Sequence, residues 1–205
     1  MSDVDALVRL NRLGRPFFST GEAADVLGSA LSQTSRLLAR LSDAGAIAKV
    51  THGVWSISPG PDALLFASWA GGPWPTYLSF ASALRYHGMI TQIPRAFTVA
   101  SAGKPRSIMT TMGEYQLHQI GAPVFGGYEE TAHGRIATPE KALFDVAYLR
   151  RVGRGAFSAL PEVELPEGFA DERAYEWLER VGDKSLRTAV AATLKGLLAE
   201  ARTGA

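Results

Sequence analysis

The chain has 205 residues, 46% of them hydrophobic and 20% charged, with a formal net charge of +1. That length accommodates one large domain or a small one joined to a medium one, and the composition belongs to a globular protein and excludes long disorder. The charge is unevenly spread, with 15 Lys+Arg against 11 Asp+Glu through Ser158 and 6 against 9 beyond it, so acidity gathers toward the C-terminus. The absence of cysteine excludes disulfides, thiol chemistry and cysteine-bound zinc. The opening Met1-Ser-Asp-Val-Asp5 lacks the basic start and apolar run of a signal peptide. No apolar run approaches the roughly 20 residues that span a bilayer, so a cytoplasmic location is expected by elimination.

In chain order, Asp3 to Leu13 sets Val4, Leu7, Val8 and Leu10 at near-helical spacing, with Gly14 as a stop. Phe17 and Phe18 read as a short apolar link. Ser19 or Thr20 caps a short helix that ends at Gly28. A third helix is expected over Ala30 to Ala44. Leu31, Leu38 and Leu41, with Thr34 and Leu37 alongside, form its apolar stripe, and Gln33, Arg36 and Arg40 lie opposite. Ala46 to Ile57 then alternates in character around His52-Gly53, as a two-stranded hairpin does.

Three helices followed by such a hairpin predict a winged helix over residues 1–58, a helix-turn-helix variant that presents its last helix to the DNA major groove. The candidate DNA-binding residues are Thr20, Ser32, Gln33, Thr34, Ser35, Arg36, Arg40, Lys49 and His52. Hydroxyls at the helix start reach base edges or phosphates, while Gln and Arg make bidentate contacts with adenine and guanine. Arg40, Lys49 and His52 would flank the groove and meet phosphate. The six basic residues of this segment face five acids, which leaves open a winged helix used for protein contacts or dimerisation.

Ser58-Pro-Gly-Pro-Asp62 marks a boundary, and residues 62–205 are expected to form a second domain. Ala63 to Ala70 reads as a short helix. Trp74, between two prolines, is expected as a packing plug rather than a ligand platform. Ser79 and Gly88 bracket a helix over Phe80 to His87. Strands are expected at Arg95–Ser101, Ser107–Thr111 and Glu114–Ile120, the last with Tyr115 and Leu117 inward and Gln116 and His118 outward. Tyr128–Ala132 and Arg135–Ala137 read as a hairpin around His133-Gly134. A helix then starts at Thr138, which can cap it, with Pro139 at the first helical position and Glu140 at the positive end of the dipole.

That helix is apolar on nearly every side, which belongs inside a domain. Lys141 and Asp145, four apart on one face, can pair with each other or with a partner, and an ordinary surface ion pair is the plainer expectation. A break follows at Gly153-Arg-Gly155 and an acidic loop between Pro161 and Pro166. Helices over Asp171–Val181 and Ser185–Ala201 finish the chain. The fold class expected is therefore α+β: an N-terminal winged helix-turn-helix, then a mixed sheet of four or five strands with flanking and C-terminal helices.

Three strings carry a resemblance: Tyr77-Leu-Ser-Phe-Ala-Ser-Ala-Leu-Arg-Tyr-His-Gly-Met-Ile-Thr-Gln-Ile-Pro94, Phe97-Thr-Val-Ala100, and Ile136-Ala-Thr-Pro-Glu-Lys-Ala-Leu-Phe-Asp145. With the winged helix in front, the chain resembles the AbiEi antitoxins over most of its length, the tail after Arg154 excepted. The resemblance implies a bacterial toxin–antitoxin pair. Its antitoxin represses its own operon at inverted repeats and counters a nucleotidyltransferase toxin through its C-terminal domain, by stable complex, transient contact or covalent modification such as serine phosphorylation.

For the toxin-facing surface the candidates are the basic and aromatic groups expected to be exposed: Arg85, Tyr86, His87, Arg95, Lys104, Arg106, Lys141 and Asp145. Each taken singly has a plainer role as a solvated charge or a satisfied helix end, and Lys104-Pro-Arg106 can instead add phosphate contacts to DNA. No phosphate loop, kinase loop or Gly-x-Ser-x-Gly elbow occurs, and His52, His87, His118 and His133 lack metal-ligand spacing. No cofactor, metal or catalytic residue is therefore expected. The rival expectations are a ligand-responsive transcriptional regulator and an enzyme acting on the toxin.

Overall fold

The computed structural model describes residues 2–153 and 160–203; of the expected break at Gly153-Arg154-Gly155, only Gly153 lies within them. The chain divides into two compact units, Met1–Phe66 with Met109–Gly113, and Ala67–Ile108 with Glu114–Ala205. Helix and strand are mixed throughout.

In the first unit, α1 (Asp3–Asn11) begins at a capping box between Ser2 and Asp5. Its buried face is Ala6 and Leu10, while Val4 is 69% exposed and Val8 is also outward. Phe17 and Phe18 are not a link but part of a strand, β1 (Phe17–Ser19), followed by α2 (Thr20–Leu27) and α3 (Leu31–Asp43). Ser19, rather than Thr20, caps α2: its hydroxyl accepts from the Glu22 amide and the Glu22 carboxylate accepts from the Ser19 amide, reciprocally satisfying two helix-end donors. The strands β2 (Ala48–Thr51) and β3 (Val54–Ser56) form a hairpin, and β1 adds antiparallel to β3, Phe18 opposite Trp55. Gly53 at the turn has φ +71°, where a side chain would be strained. Leu10, Phe18, Leu27, Leu38, Leu41, Ile47 and Trp55 meet in one core. Thr111 joins this unit by donating to the Val50 carbonyl, 2.9 Å from its amide, and to the Lys49 carbonyl, 3.1 Å from its hydroxyl.

The helix α4 (Ala63–Ala67) precedes β4 (Thr76–Leu78), α5 (Phe80–Tyr86), β5 (Phe97–Ser101), β6 (Arg106–Thr110), β7 (Gly113–Gln119), β8 (Tyr128–Thr131) and β9 (Gly134–Ala137). These strands form one six-stranded sheet in the order β6-β7-β5-β4-β9-β8. The sheet is mixed: β4 runs antiparallel to β5 and parallel to β9, and β5 runs parallel to β7. Tyr115 and Leu117 are buried on β7, as alternation requires. After β9 come α6 (Pro139–Val152), α7 (Asp171–Glu176), which tightens into a 3-10 turn over Trp177–Arg180, and α8 (Lys184–Thr203). The helix α6 packs against α5, α7 and α8 and is buried over nearly its whole length. Among the described residues no helix is long and apolar enough to cross a membrane.

Candidate functional site

A cluster of polar side chains in each unit follows from its fold. In the first unit, Thr34, Leu38 and Leu41 recur at three and four residues along α3 and fill the core, which turns the remaining arc of the helix outward. Ser32, Gln33, Ser35 and Arg36 are exposed there, and Lys49 and His52 are exposed on the hairpin. Ser32, Ser35 and Ala39 form one wall of an open groove of about 860 Å³ whose other wall includes Lys49, His52 and Trp55. The Lys49 ammonium lies 6.0 Å from the centre of the Trp55 ring. Arg36 and His52 are exposed, and among the described residues neither makes an ion pair. Leu31, expected in the apolar stripe, is 59% exposed and lines the groove instead, because it sits at the helix start beyond the level of the core.

Three of the expected DNA-facing residues are otherwise engaged. Thr34 is wholly buried, its hydroxyl 2.7 Å from that of Ser29, and is a core residue rather than a reader of bases. Thr20 lines the groove, but its hydroxyl accepts from the Trp55 indole N–H at 2.9 Å. Arg40 is not among the groove-lining residues and holds Asp3 through two hydrogen bonds, Nη2 at 2.5 Å and Nε at 3.3 Å. The guanidinium holds the Asp3 carboxyl below its usual range.

The second cluster lies between β4 and α6. Residues two apart on a strand share a face, so Tyr77 and Ser79 both point at the helix that follows the neighbouring parallel strand β9. Thr138 caps that helix, its hydroxyl accepting from the Lys141 amide at 3.3 Å. One turn further in, the Asp145 carboxylate accepts hydrogen bonds from the Tyr77 hydroxyl at 3.0 Å, from the Ser79 hydroxyl at 2.7 Å and from the Lys141 ammonium. The ammonium is also ringed by Trp177, Phe144 and Tyr77 at 4.6, 5.2 and 5.6 Å from their centres. Gly127, at φ +71°, gives up a side chain for this packing, since a Cβ there would come within 2.4 Å of Trp177 and 2.9 Å of Lys141.

Lys141 and Asp145 are both 0% exposed, so the expectation that they belong to an exposed partner surface is corrected. They do pair with each other, at the bottom of a core. Burial pushes the Lys141 amine down and the Asp145 carboxyl up, each opposed by the other's charge. Burial, reinforced by the Asp145 charge, pushes the Tyr77 hydroxyl well above its usual value. Ser79, expected to cap α5 with its side chain, spends its hydroxyl on Asp145 instead. Phe80, immediately after it, adopts φ +53°, an unusual conformation for a bulky residue that sharpens the turn from β4 into α5. Tyr77 and Trp177 were not singled out by sequence. The spacing Tyr77-x-Ser79 was a usable signal for the first, and nothing local pointed to the second.

The other partner-facing candidates are dispersed. Arg85, Tyr86 and Arg95 are exposed; His87 is half-buried and donates from Nε2 to the Ala137 carbonyl at 2.7 Å, a structural role. Lys104 and Arg106 are exposed, the latter donating to the Ala70 carbonyl at 2.8 Å. Trp74, expected as a plug, is 56% exposed. Among the described residues no three His, Asp or Glu side chains are grouped to hold a metal ion. No protein-family model matches the chain, and no curated protein matches it.

Proposed function

We propose that the chain is a DNA-binding antitoxin of a bacterial toxin–antitoxin pair. In this reading its first unit is a winged helix that represses its own operon at inverted repeats, and its second unit neutralises a nucleotidyltransferase toxin. The observation that carries the DNA half is the groove bounded by α3 and the β2–β3 hairpin. Hydroxyl, amide, guanidinium, ammonium and imidazole groups stand exposed on and beside its two walls, while the opposite face of α3 is spent on the core. In this reading Ser32, Gln33, Ser35 and Arg36 would meet base edges and Lys49 and His52 would meet phosphate, as on a recognition helix and wing. Arg40, Thr20 and Thr34 are withdrawn from the contact set because each is engaged within the unit.

The antitoxin half rests on the resemblance of the Tyr77–Pro94, Phe97–Ala100 and Ile136–Asp145 strings to AbiEi antitoxins. Its toxin-facing candidates are reduced to the exposed Arg85, Tyr86, Arg95, Lys104 and Arg106. Two measurements test the halves separately. The full chain, titrated by fluorescence anisotropy against the duplex upstream of its own gene, is expected to bind it more tightly than a shuffled duplex of the same length. Equal affinity for the two removes the repressor. Co-expression with the adjacent open reading frame is expected to restore growth, and a toxic neighbour that the chain does not relieve removes the antitoxin.

A further inference from the structure

The antiparallel register of β4 and β5 sets Thr76 opposite Ser101, so the loop entering β4 and the loop leaving β5 lie side by side at one end of the sheet. The Ala102 amide donates to the Pro75 carbonyl at 3.2 Å and ties the two loops together. Trp74 projects from the first loop over Gly103 of the second. A Cβ on Gly103 would stand 2.6 Å from the indole Cδ1, so only glycine admits the ring there. A Cβ on Gly71 would stand 2.1 Å from the Trp74 carbonyl, which fixes the turn that presents the indole. Trp74 thus lies over the backbone of Gly103 and is still 56% exposed, leaving aromatic surface open to a flat ring.

The indole borders a pocket of about 500 Å³, within the usual range of small-molecule sites, which Lys104, Arg106 and Gln119 also line. Arg106 uses one donor on the Ala70 carbonyl, which steadies the guanidinium and leaves its remaining donors available. Among the described residues Lys104 makes no ion pair, and neither the pocket lining nor the segments Ala70–Pro75 and Ala102–Arg106 contain a carboxylate. One open aromatic face with two cations and no anion selects against cationic and purely apolar ligands. It matches a flat ring that carries negative charge.

We propose that this pocket binds a nucleotide, its base stacked on Trp74 and its phosphate held by Lys104 and Arg106. The nucleotide is either free or the end of a single strand, which share this chemistry. The site lies in the second unit and does not depend on the operator-binding reading of the α3 groove.

Isothermal titration of the full chain tests it with ATP, adenosine, inorganic phosphate and a single-stranded oligonucleotide of about 12 nucleotides. Saturable binding of ATP or of the oligonucleotide is expected, and whichever binds identifies the source. Trp74→Ala is expected to raise the Kd roughly tenfold or more, since base stacking contributes on that scale, while Trp74→Phe retains most of the affinity. Lys104→Glu, a substitution at an exposed loop position with no bearing on the core, is expected to abolish ATP binding while leaving adenosine unaffected. No saturable binding by either nucleotide probe overturns the proposal. So does binding that Trp74→Ala and Lys104→Glu leave unchanged in variants whose circular dichroism matches the parent.

Discussion

Removing Asp145 is the most severe single test of how the second unit holds together. Asp145→Ala leaves the Lys141 ammonium without its anion and the Tyr77 and Ser79 hydroxyls without their acceptor, all three in fully buried surroundings. Breaking a buried pair by deleting one partner costs about 3–5 kcal/mol. The two orphaned hydroxyls would add about 1–3 kcal/mol each if nothing relaxed. Part of that is recovered because burial lowers the Lys141 pKa and Asp145 no longer opposes it, which eases loss of the proton, so a net loss near 4 kcal/mol is expected, within the range for such pairs. With a urea slope of about 2 kcal/mol per molar, the midpoint should fall by about 2 M.

The companion variant separates charge from connectivity. Lys141→Met with Asp145→Asn removes both charges but keeps an amide oxygen for Tyr77 and Ser79, and should lie within about 1 kcal/mol of the parent. The assay is a urea titration of the full chain labelled with fluorotryptophan, following the Trp177 resonance, assigned from Trp177→Phe, because Trp177 packs 4.6 Å from the ammonium. A midpoint for Asp145→Ala that barely moves refutes the structural role of the pair. A double variant as damaged as the single one shows that the fold needs the charges themselves.

Three further outcomes follow from the geometry. Glu22→Gln keeps an oxygen for the Ser19 amide but removes the charge that faces Arg15 and the start of α2, and should destabilise the first unit by about 0.5 kcal/mol. Burial pushes the Glu22 carboxyl up, but the Ser19 amide and hydroxyl and Arg15 outweigh it and hold it below 4.5. The ionised form is therefore favoured by folding, its contribution is present above pH 4.5 and lost as pH falls through the lowered value, and the two proteins' melting temperatures should converge there. Gly127→Ala combines a strained φ with collision against Trp177 and Lys141 and should cost about 2 kcal/mol or more by chemical denaturation, whereas Gly60→Ala, with open space around its Cβ, should cost little. Within the operator reading, Arg36→Ala should weaken specific binding by about 1–3 kcal/mol, and Lys49→Ala should lower the slope of log affinity against log salt by about one; unchanged anisotropy titrations for both would remove the α3 groove as the contact surface.

Elements with a strong local signal were legible in the sequence. The helix α6 announced itself through Thr138, Pro139 and an apolar run, β7 through the alternation of Tyr115 and Leu117, and two hairpins through His52-Gly53 and His133-Gly134. The strands β1 and β4 were missed because each has three residues and little alternation: Thr76, Tyr77 and Leu78 are all buried at the centre of the sheet, where both faces are covered. Thr34 falls alongside the apolar stripe of α3 and is buried with it, so its hydroxyl, paired with that of Ser29, is not free to read bases. Val4 and Val8 share the near-helical spacing of Leu7 and Leu10 but stay exposed, and Ala6 and Leu10 are the buried residues of α1.

The charges of α6 carry a broader lesson. Glu140, Lys141 and Asp145 drew attention because they interrupt a helix that is otherwise apolar all round, and such charges invite a functional assignment. Each is answered from within the unit. Glu140 accepts from the Ala170 amide at 3.3 Å and lies 3.9 Å from the Arg173 guanidinium, Lys141 meets Asp145 inside an aromatic cage, and Asp145 collects two further hydroxyls from β4. A charge can remain in a core only when its hydrogen bonds are made there, and once they are made it has little left to offer a partner. Polar capacity remains at exposed positions instead: Arg36 on α3 and His52 at the groove, both expected to face DNA, and Lys104 with the open face of Trp74 in the second unit. Function in this chain is therefore sought in the side chains the fold leaves unsatisfied, and stability in the pair it has closed over.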